Sequence, residues 1–211
     1  MYVPAKFVVS DDEAWEIVRT AGAGLLVASG ASSLQSVYVP VVVSDDRTRL
    51  LAHVARANPF WREVRAGEPA LALFVASSAY VSPLYYPSLA EDPNAVPTWN
   101  YEAVEVSGPL VVHDDPEWLR TQTRELTDIF ERGREPRWWA EDLEPGYLDR
   151  QLRAIVGVEI AVERIQGKAK LSQNRSTADR RRVGTVLAQG GLTERHLAER
   201  MAARPDADPP A

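Results

Sequence analysis

The chain has 211 residues, is 45% hydrophobic and carries a formal net charge of −6. It has no cysteine, which excludes disulfides, thiol catalysis and cysteine metal sites. No apolar run approaches the ~20 residues of a membrane-spanning helix, and a pI near 5.2 argues against a domain built around a broad basic face for nucleic acid. The length fits one large domain, or one domain with an appendage. Met1 to Lys6 leads into a polar helix start with no apolar signal region, so a soluble cytoplasmic protein is expected.

The elements follow from caps, periodicity and turn residues. Ser10-Asp11-Asp12-Glu13 is a capping box that starts a helix to about Ala21, with Trp15, Ile17 and Val18 as its buried side. Leu25–Ala28 reads as a strand, Gly30–Ser33 as a turn, and Leu34–Val43 as a strand interrupted by Pro40, hence an edge or a bulge. Ser44–Arg47 turns the chain and Leu50–Ala55 returns. Asn58 caps a short helix with Pro59 at its first position, ending near Gly67. Ala70–Ala76 and Tyr80–Ser82 are strand-like, a Pro- and Tyr-rich loop runs to Ala95, and Thr98–Val106 alternates imperfectly as a strand. Gly108-Pro109 is expected to break it before a further strand, Leu110–His113.

Asp115-Pro116 starts an amphipathic helix to about Arg132, with Leu119, Leu126, Ile129 and Phe130 on one side. A shorter helix follows Pro145-Gly146, and Ala154–Ile165 is a strand with Val156, Val158, Ile160 and Val162 in strict alternation. The segment from about Thr177 reads as helical, and 204–211 is Pro-, Asp- and Ala-rich and expected to be disordered. Six to eight strands joined mostly by short turns, with no βαβ rhythm, predict a mainly β chain: an antiparallel barrel with peripheral helices.

Charge divides the chain. Residues 1–162 carry 14 Lys/Arg against 24 Asp/Glu, whereas 163–204 carry 10 against 4. The basic segment either meets a phosphate, in a ligand or a nucleic acid, or pairs with the acidic body of the same chain or of a partner subunit. Leu192–Met201 has the pattern of half a helix-turn-helix, with Thr193 as cap and Leu192, Leu197 and Met201 as a buried stripe; Arg180-Arg181-Arg182 precedes it. Dimer packing explains the same pattern.

Three segments can carry chemistry. His53-Val54-Ala55-Arg56-Ala57-Asn58-Pro59 brings His53 and Arg56 to a helix start, either a phosphate cradle or an ordinary capped junction. Gln166–Arg175 is rich in donors, with Lys168, Lys170 and Arg175 among Ser172, Gln173 and Asn174. Val96-Pro97-Thr98-Trp99-Asn100-Tyr101 sets stacking faces and polar edges behind one rigid proline, either as a pocket wall or as a strand start with Trp99 in the core. The three histidines lack metal-ligand spacing, there is no G-x-S-x-G elbow and no Gly-rich phosphate loop, and the paired carboxylates fall at turns and caps. Any redox or transfer chemistry therefore has to come from a bound cofactor.

Taken in order with Tyr2-Val3-Pro4, Tyr80-Val81-Ser82-Pro83 and Ile155-Val156-Gly157, these segments resemble the PaiB-type FMN-binding regulators over about residues 1–176. The resemblance implies a split β-barrel of Greek-key, flavin-binding type, a homodimer with FMN at the subunit interface, and a role as a negative transcriptional regulator. An oxidoreductase on the same barrel, linked to flavin or haem, is the alternative. It further implies His53, Arg56 and Asn58 near the FMN phosphate or ribityl chain, and Thr98, Trp99 and Asn100 along the isoalloxazine. Lys170, Ser172, Gln173 and Arg175 would complete the site, and Tyr38 and Val39 join the cofactor-facing set. Tyr38 stands where the family tends to have histidine, Ala52 where it often has glycine, and Ala169 where it often has a bulkier apolar residue. On this reading residues 1–176 form the flavin-binding domain, 177–203 a basic helical extension and 204–211 a tail.

Overall fold

The computed structural model of the protein describes residues 1–204. Nearly all of the tail expected to be disordered, 205–211, lies outside the described residues. Among the described residues, eight strands form one antiparallel sheet. They are β1 (Ala23–Ser29), β2 (Leu34–Pro40), β3 (Val42–Val43), β4 (Arg49–Ala55), β5 (Pro69–Val81), β6 (Thr98–His113), β7 (Ile155–Ala161) and β8 (Arg164–Lys170). Their order is β2-β1-β5-β6-β7-β4-β3, with β8 pairing to β6 off that path, and the path does not close on itself. The described residues also form six α-helices: α1 (Asp11–Ala21), α2 (Phe60–Glu63), α3 (Pro116–Glu131), α4 (Tyr147–Leu152), α5 (Thr177–Leu187) and α6 (Leu192–Ala203). The mainly β, antiparallel class expected from the alternation is the one observed. The chain divides into two compact units, and β5 and β6 each run through both.

The first unit comprises Met1–Ala21, Phe74–Val104 and the chain from Gln166 onward. Its core holds Trp15, Ile17 and Val18 of α1, Val81 and Val104 of the long strands, and Leu171, Val183, Leu187, Leu197 and Met201. Ser10 caps α1 as expected, its Oγ accepting from Glu13 N at 3.2 Å. Gly167 is required by close approach, since a Cβ there would stand 2.2 Å from the Val9 side chain. Two details of α6 differ from expectation. Gly191, not Thr193, is its cap, and Leu192 is exposed, while Leu197 and Met201 are buried. Glu194 folds back to accept from Gly191 N at 2.6 Å, and Gly190 leaves it room, since a Cβ there would stand 2.3 Å from the Glu194 carboxylate; this starts the helix ahead of Thr193.

The second unit comprises Gly22–Leu73 and Glu105–Ile165. Its core is the alternating inner face of β1, β4 and β7, with Leu26, Ala28, Leu50, Ala52, Val54, Val156, Val158 and Ile160 buried. Ala70–Ala76 and Tyr80-Val81 belong to one strand, β5, whose buried side changes phase between Phe74 and Ser77, while Ser82, expected to end the strand, caps the turn that follows. That shift by one residue made it look like two strands. Gly108-Pro109 likewise does not end β6. Gly108 lies under Ala161, whose carbonyl oxygen would be 1.7 Å from an added Cβ, so the glycine accommodates a neighbouring backbone inside a continuous strand. The predicted strand Ala154–Ile165 is instead two, β7 and β8, turning at Val162 and Glu163.

Helix α2 is a single turn, because Val64 leaves it extended to bridge Gly30. Helix α3 starts at Asp115, whose carboxylate accepts from Glu117 N and Trp118 N. It is seated through its first two turns, Trp118 over Gly157 and Leu119 and Gln122 buried. Beyond them Ile129 and Phe130, expected on the packed side, are exposed.

Candidate functional site

In the first unit β8 carries Lys168 and Lys170 on one face, two residues apart on a strand that pairs with β6. Lys170 Nζ donates to Thr98 Oγ1 on β6. Lys168 Nζ donates to the Tyr2 carbonyl at 3.2 Å and lies 5.2 Å from the Tyr101 ring. Arg175, just past β8, stacks its guanidinium 4.4 Å above the Tyr86 ring. Among the described residues no ion pair joins a carboxylate to any of these three cations. Burial holds the Lys170 ammonium below its ordinary range; Tyr101 opposes that shift, and Lys168 and Arg175 reinforce it. Trp99 is 54% exposed, with the Tyr80 ring edge-on at 6.3 Å. It is therefore an accessible aromatic face rather than core.

Three other residues of the predicted set are occupied with holding the turn after β8. Asn100 is fully buried and its Nδ2 donates to Ser172 Oγ at 2.9 Å; Met201 Sδ lies 3.6 Å away. Ser172 sits at φ 63°, where a non-glycine residue persists only if its surroundings hold it. Gln173 uses both ends of its amide, donating to Ala169 O and accepting from Leu171 N, each at 2.6 Å. The loop that carries Tyr86 is tied down as well: Ser88 donates through its backbone N (3.0 Å) and its Oγ (2.7 Å) to the Asp179 carboxylate on α5.

In the second unit the His53–Pro59 segment folds into a different chemistry. Arg56 donates through Nε to Arg153 O at 2.7 Å, through Nη2 to Ile155 O at 3.0 Å, and through both terminal nitrogens to the Asp114 carboxylate. That hydrogen-bonded pairing, more than its charge, holds Asp114 below the usual carboxylate range. His53 Nδ1 is hydrogen-bonded to Gln122 Oε1 at 2.8 Å. Asn58 Oδ1 accepts from Phe60 N at 2.9 Å. Tyr38 is 70% exposed opposite Leu25, while its neighbour Val39 is buried opposite Gly24. His113, absent from the predicted set, bonds Glu159 Oε2 at 2.9 Å and stacks on Trp118.

The predicted residues thus fall into two groups, one in each unit. Tyr86 joins the first group although the sequence-based set omits it, and so does Lys168, which is read in the donor-rich segment but given no role by the resemblance. The i, i+2 spacing of Lys168 and Lys170 carries that information once β8 is known to be a strand. Among the described residues, no group of three or more His, Asp or Glu side chains could hold a metal ion, and no helix is long and apolar enough to cross a membrane.

An open antiparallel sheet with peripheral helices, bearing this ordered set of segments, defines a split barrel of the flavin-binding type. Residues 1–164 match the family described as "Putative FMN-binding domain", and the chain belongs to that family. It is 33% identical over 183 residues to the "Protease synthase and sporulation protein PAI 2" of Bacillus subtilis (strain 168), covering 85% of each chain. The fold alone is shared with two solved structures. The FAD and haem binding protein of Mycobacterium smegmatis is 17% identical, with a TM-score of 0.60 over 88% of this chain and 81% of that one. The flavocytochrome Anf3 of Azotobacter vinelandii is 11% identical, with a TM-score of 0.59 over 76% and 67%.

Proposed function

We propose that the chain is a PaiB-type regulatory protein that binds FMN. The observation that carries this reading is the cluster of Lys168, Lys170 and Arg175, three cations that form no ion pair with a carboxylate among the described residues, in the unit that also presents Trp99 as an open aromatic face. A dianionic phosphate suits such a donor set, and a flat conjugated ring suits Trp99 and Tyr80. The residues present therefore fit the group that the family description names.

In this reading Lys170 and Arg175 hold the phosphate, Lys168 adds charge, and Thr98 holds the Lys170 ammonium in place. Trp99 covers the ring. Asn100, Ser172 and Gln173 position the turn that delivers Arg175. Arg56 and Asn58 shape the second unit, with Arg56 held by Asp114. When bound, FMN supplies electron and hydride transfer; the protein supplies its anchorage.

The finer parts of the proposal are a cytoplasmic homodimer and a role in repression. Exposed apolar groups support self-association: Leu25 and Tyr38 directly opposite on β1 and β2, and Trp99 and Tyr80 in the other unit. The relative's name supports the regulatory role. Direct reading of DNA by the basic segment gains little support. Arg180 is buried and donates to Met201 O, Arg200 bonds Glu102 and Glu13, and Arg204 bonds Glu13. Arg200 and Arg204 pair with carboxylates of their own unit, and Arg180 holds backbone carbonyls of the same segment. Titration of the purified protein with FMN tests the reading: saturable quenching of flavin fluorescence supports it, and a flat titration at low salt sinks it. Light scattering in the same buffer checks for twice the 23.4 kDa chain mass.

A further inference from the structure

Helices α5 and α6 lie beyond residues 1–164, the stretch that matches the family description, and the flavin reading gives them no part. Yet three supports of Arg175 end on them. The first is the chain itself: the next residue, Ser176, caps α5, its Oγ accepting from Asp179 N at 3.2 Å. The second is the Tyr86 ring on which Arg175 stacks. Its loop is held to α5 by Asp179, whose carboxylate accepts from Ser88 N at 3.0 Å and Ser88 Oγ at 2.7 Å. Asp179 is 3% exposed, so water does not compete well for these bonds. The third is the turn after β8. Arg175 N donates to Ser172 O at 3.0 Å, Ser172 Oγ is held by Asn100, and the same Asn100 Nδ2 reaches Met201 Sδ of α6.

The two helices are joined to each other and to the sheet. They pack together, and Arg180 of α5 donates to Met201 O of α6 at 2.6 Å. Arg200 of α6 donates to Glu102 on β6 at 2.9 Å and to Glu13 on α1 at 2.8 Å. Asn100 and Glu102, two residues apart on β6, therefore both meet α6. A docked pair fixes both the stacking partner of Arg175 and the turn that delivers it, and an undocked pair releases both. The linkage is reciprocal: an anion that holds Arg175 favours the docked pair by the factor with which docking favours the anion.

We infer that the α5–α6 pair regulates the cation cluster, with Asp179 as a positioning residue that acts through Tyr86 and Arg175. FMN occupancy tightens the pair, and whatever undocks the pair loosens FMN. The inference rests on the flavin reading of Lys168, Lys170 and Arg175.

Hydrogen exchange of the full chain, with and without saturating FMN, tests it. Amides of α5 and α6 should slow about fivefold or more, while those of α3 in the other unit change less than about twofold. Riboflavin, which lacks the phosphate that meets Arg175, should give much less slowing at the same concentration. In fluorescence titrations Ser88→Ala, at an exposed position that keeps its backbone bond to Asp179, should weaken FMN about twofold to fivefold, and Asp179→Asn about tenfold. Three results would each overturn the regulatory role and leave the flavin reading standing. These are saturable FMN binding with no slowing in α5 and α6, equal slowing in α3 or with riboflavin, and wild-type FMN affinity in both variants. A flat FMN titration would overturn both.

Discussion

Two stretches of this chain carry cations in the motif pattern of one family, and they end in opposite states. Arg56 is ringed by acceptors: one carboxylate and two carbonyls occupy four of its five donors. Lys168, Lys170 and Arg175 meet one carbonyl, one hydroxyl and two aromatic faces and, among the described residues, form no ion pair with a carboxylate. The contrast teaches that a basic residue in a binding motif has two physical uses. A cation already satisfied by its own protein fixes local geometry. A cation left without a counterion is electrostatically unfinished and gains most from an incoming anion.

The comparison breaks most visibly at Lys170. Replacing it with Met should weaken FMN binding by about tenfold to hundredfold, the scale of a charge-assisted hydrogen bond, while thermal stability holds or rises because a partly buried charge is gone. A variant that binds FMN normally would show that the cluster is not the phosphate site. Asn100→Ala comes next. It leaves Ser172 and its left-handed turn unsupported, and should cost about 2 kcal/mol of stability in denaturant titration. Any loss of flavin affinity should be restored at low temperature, where the turn is again held. Arg56→Gln should have a smaller effect, about 1 kcal/mol, because the Asp114 pair is solvent-facing. Flavin affinity should not change. If Arg56→Gln instead abolished binding at unchanged stability, the roles assigned to the two regions would be reversed.

What could be read in advance follows the range of the interaction. Caps act over three residues, so Ser10 and Asp115 were legible from their neighbours and both accept the expected backbone bonds; Asn58 Oδ1 accepts from Phe60 N, although the cap position of α2 falls on Pro59. The alternation of β7 was legible for the same reason, and with it the antiparallel class. The exact ends of β5 and β6 were not. Gly108-Pro109 reads as a break until the Ala161 backbone is seen lying against it, more than fifty residues away in sequence. The state of each site residue was equally hidden. Nothing near Arg56 announces Asp114, nothing near His53 announces Gln122, and Asn100 and Ser172 are 72 residues apart. Residue types and their order located the candidate segments; only tertiary partners tell which side chains remain available to a ligand.

The smallest expected effect is also the most diagnostic of the unpaired cluster: the pH dependence of Lys170. Burial lowers the folded-state pKa of this lysine below 10.5, so between the two values the unfolded chain binds the additional proton. Stability of the free protein should therefore rise with pH across that alkaline window, and Lys170→Met should remove the rise. Flavin binding should slope the other way, because the phosphate favours the ammonium. FMN affinity should fall by a few-fold as pH climbs through the lowered pKa, earlier than for an ordinary lysine. Stability curves with and without FMN should thus converge toward high pH. Parallel curves would mean that the bound anion does not touch Lys170, and the unit with the unneutralised cations would lose its claim to the phosphate.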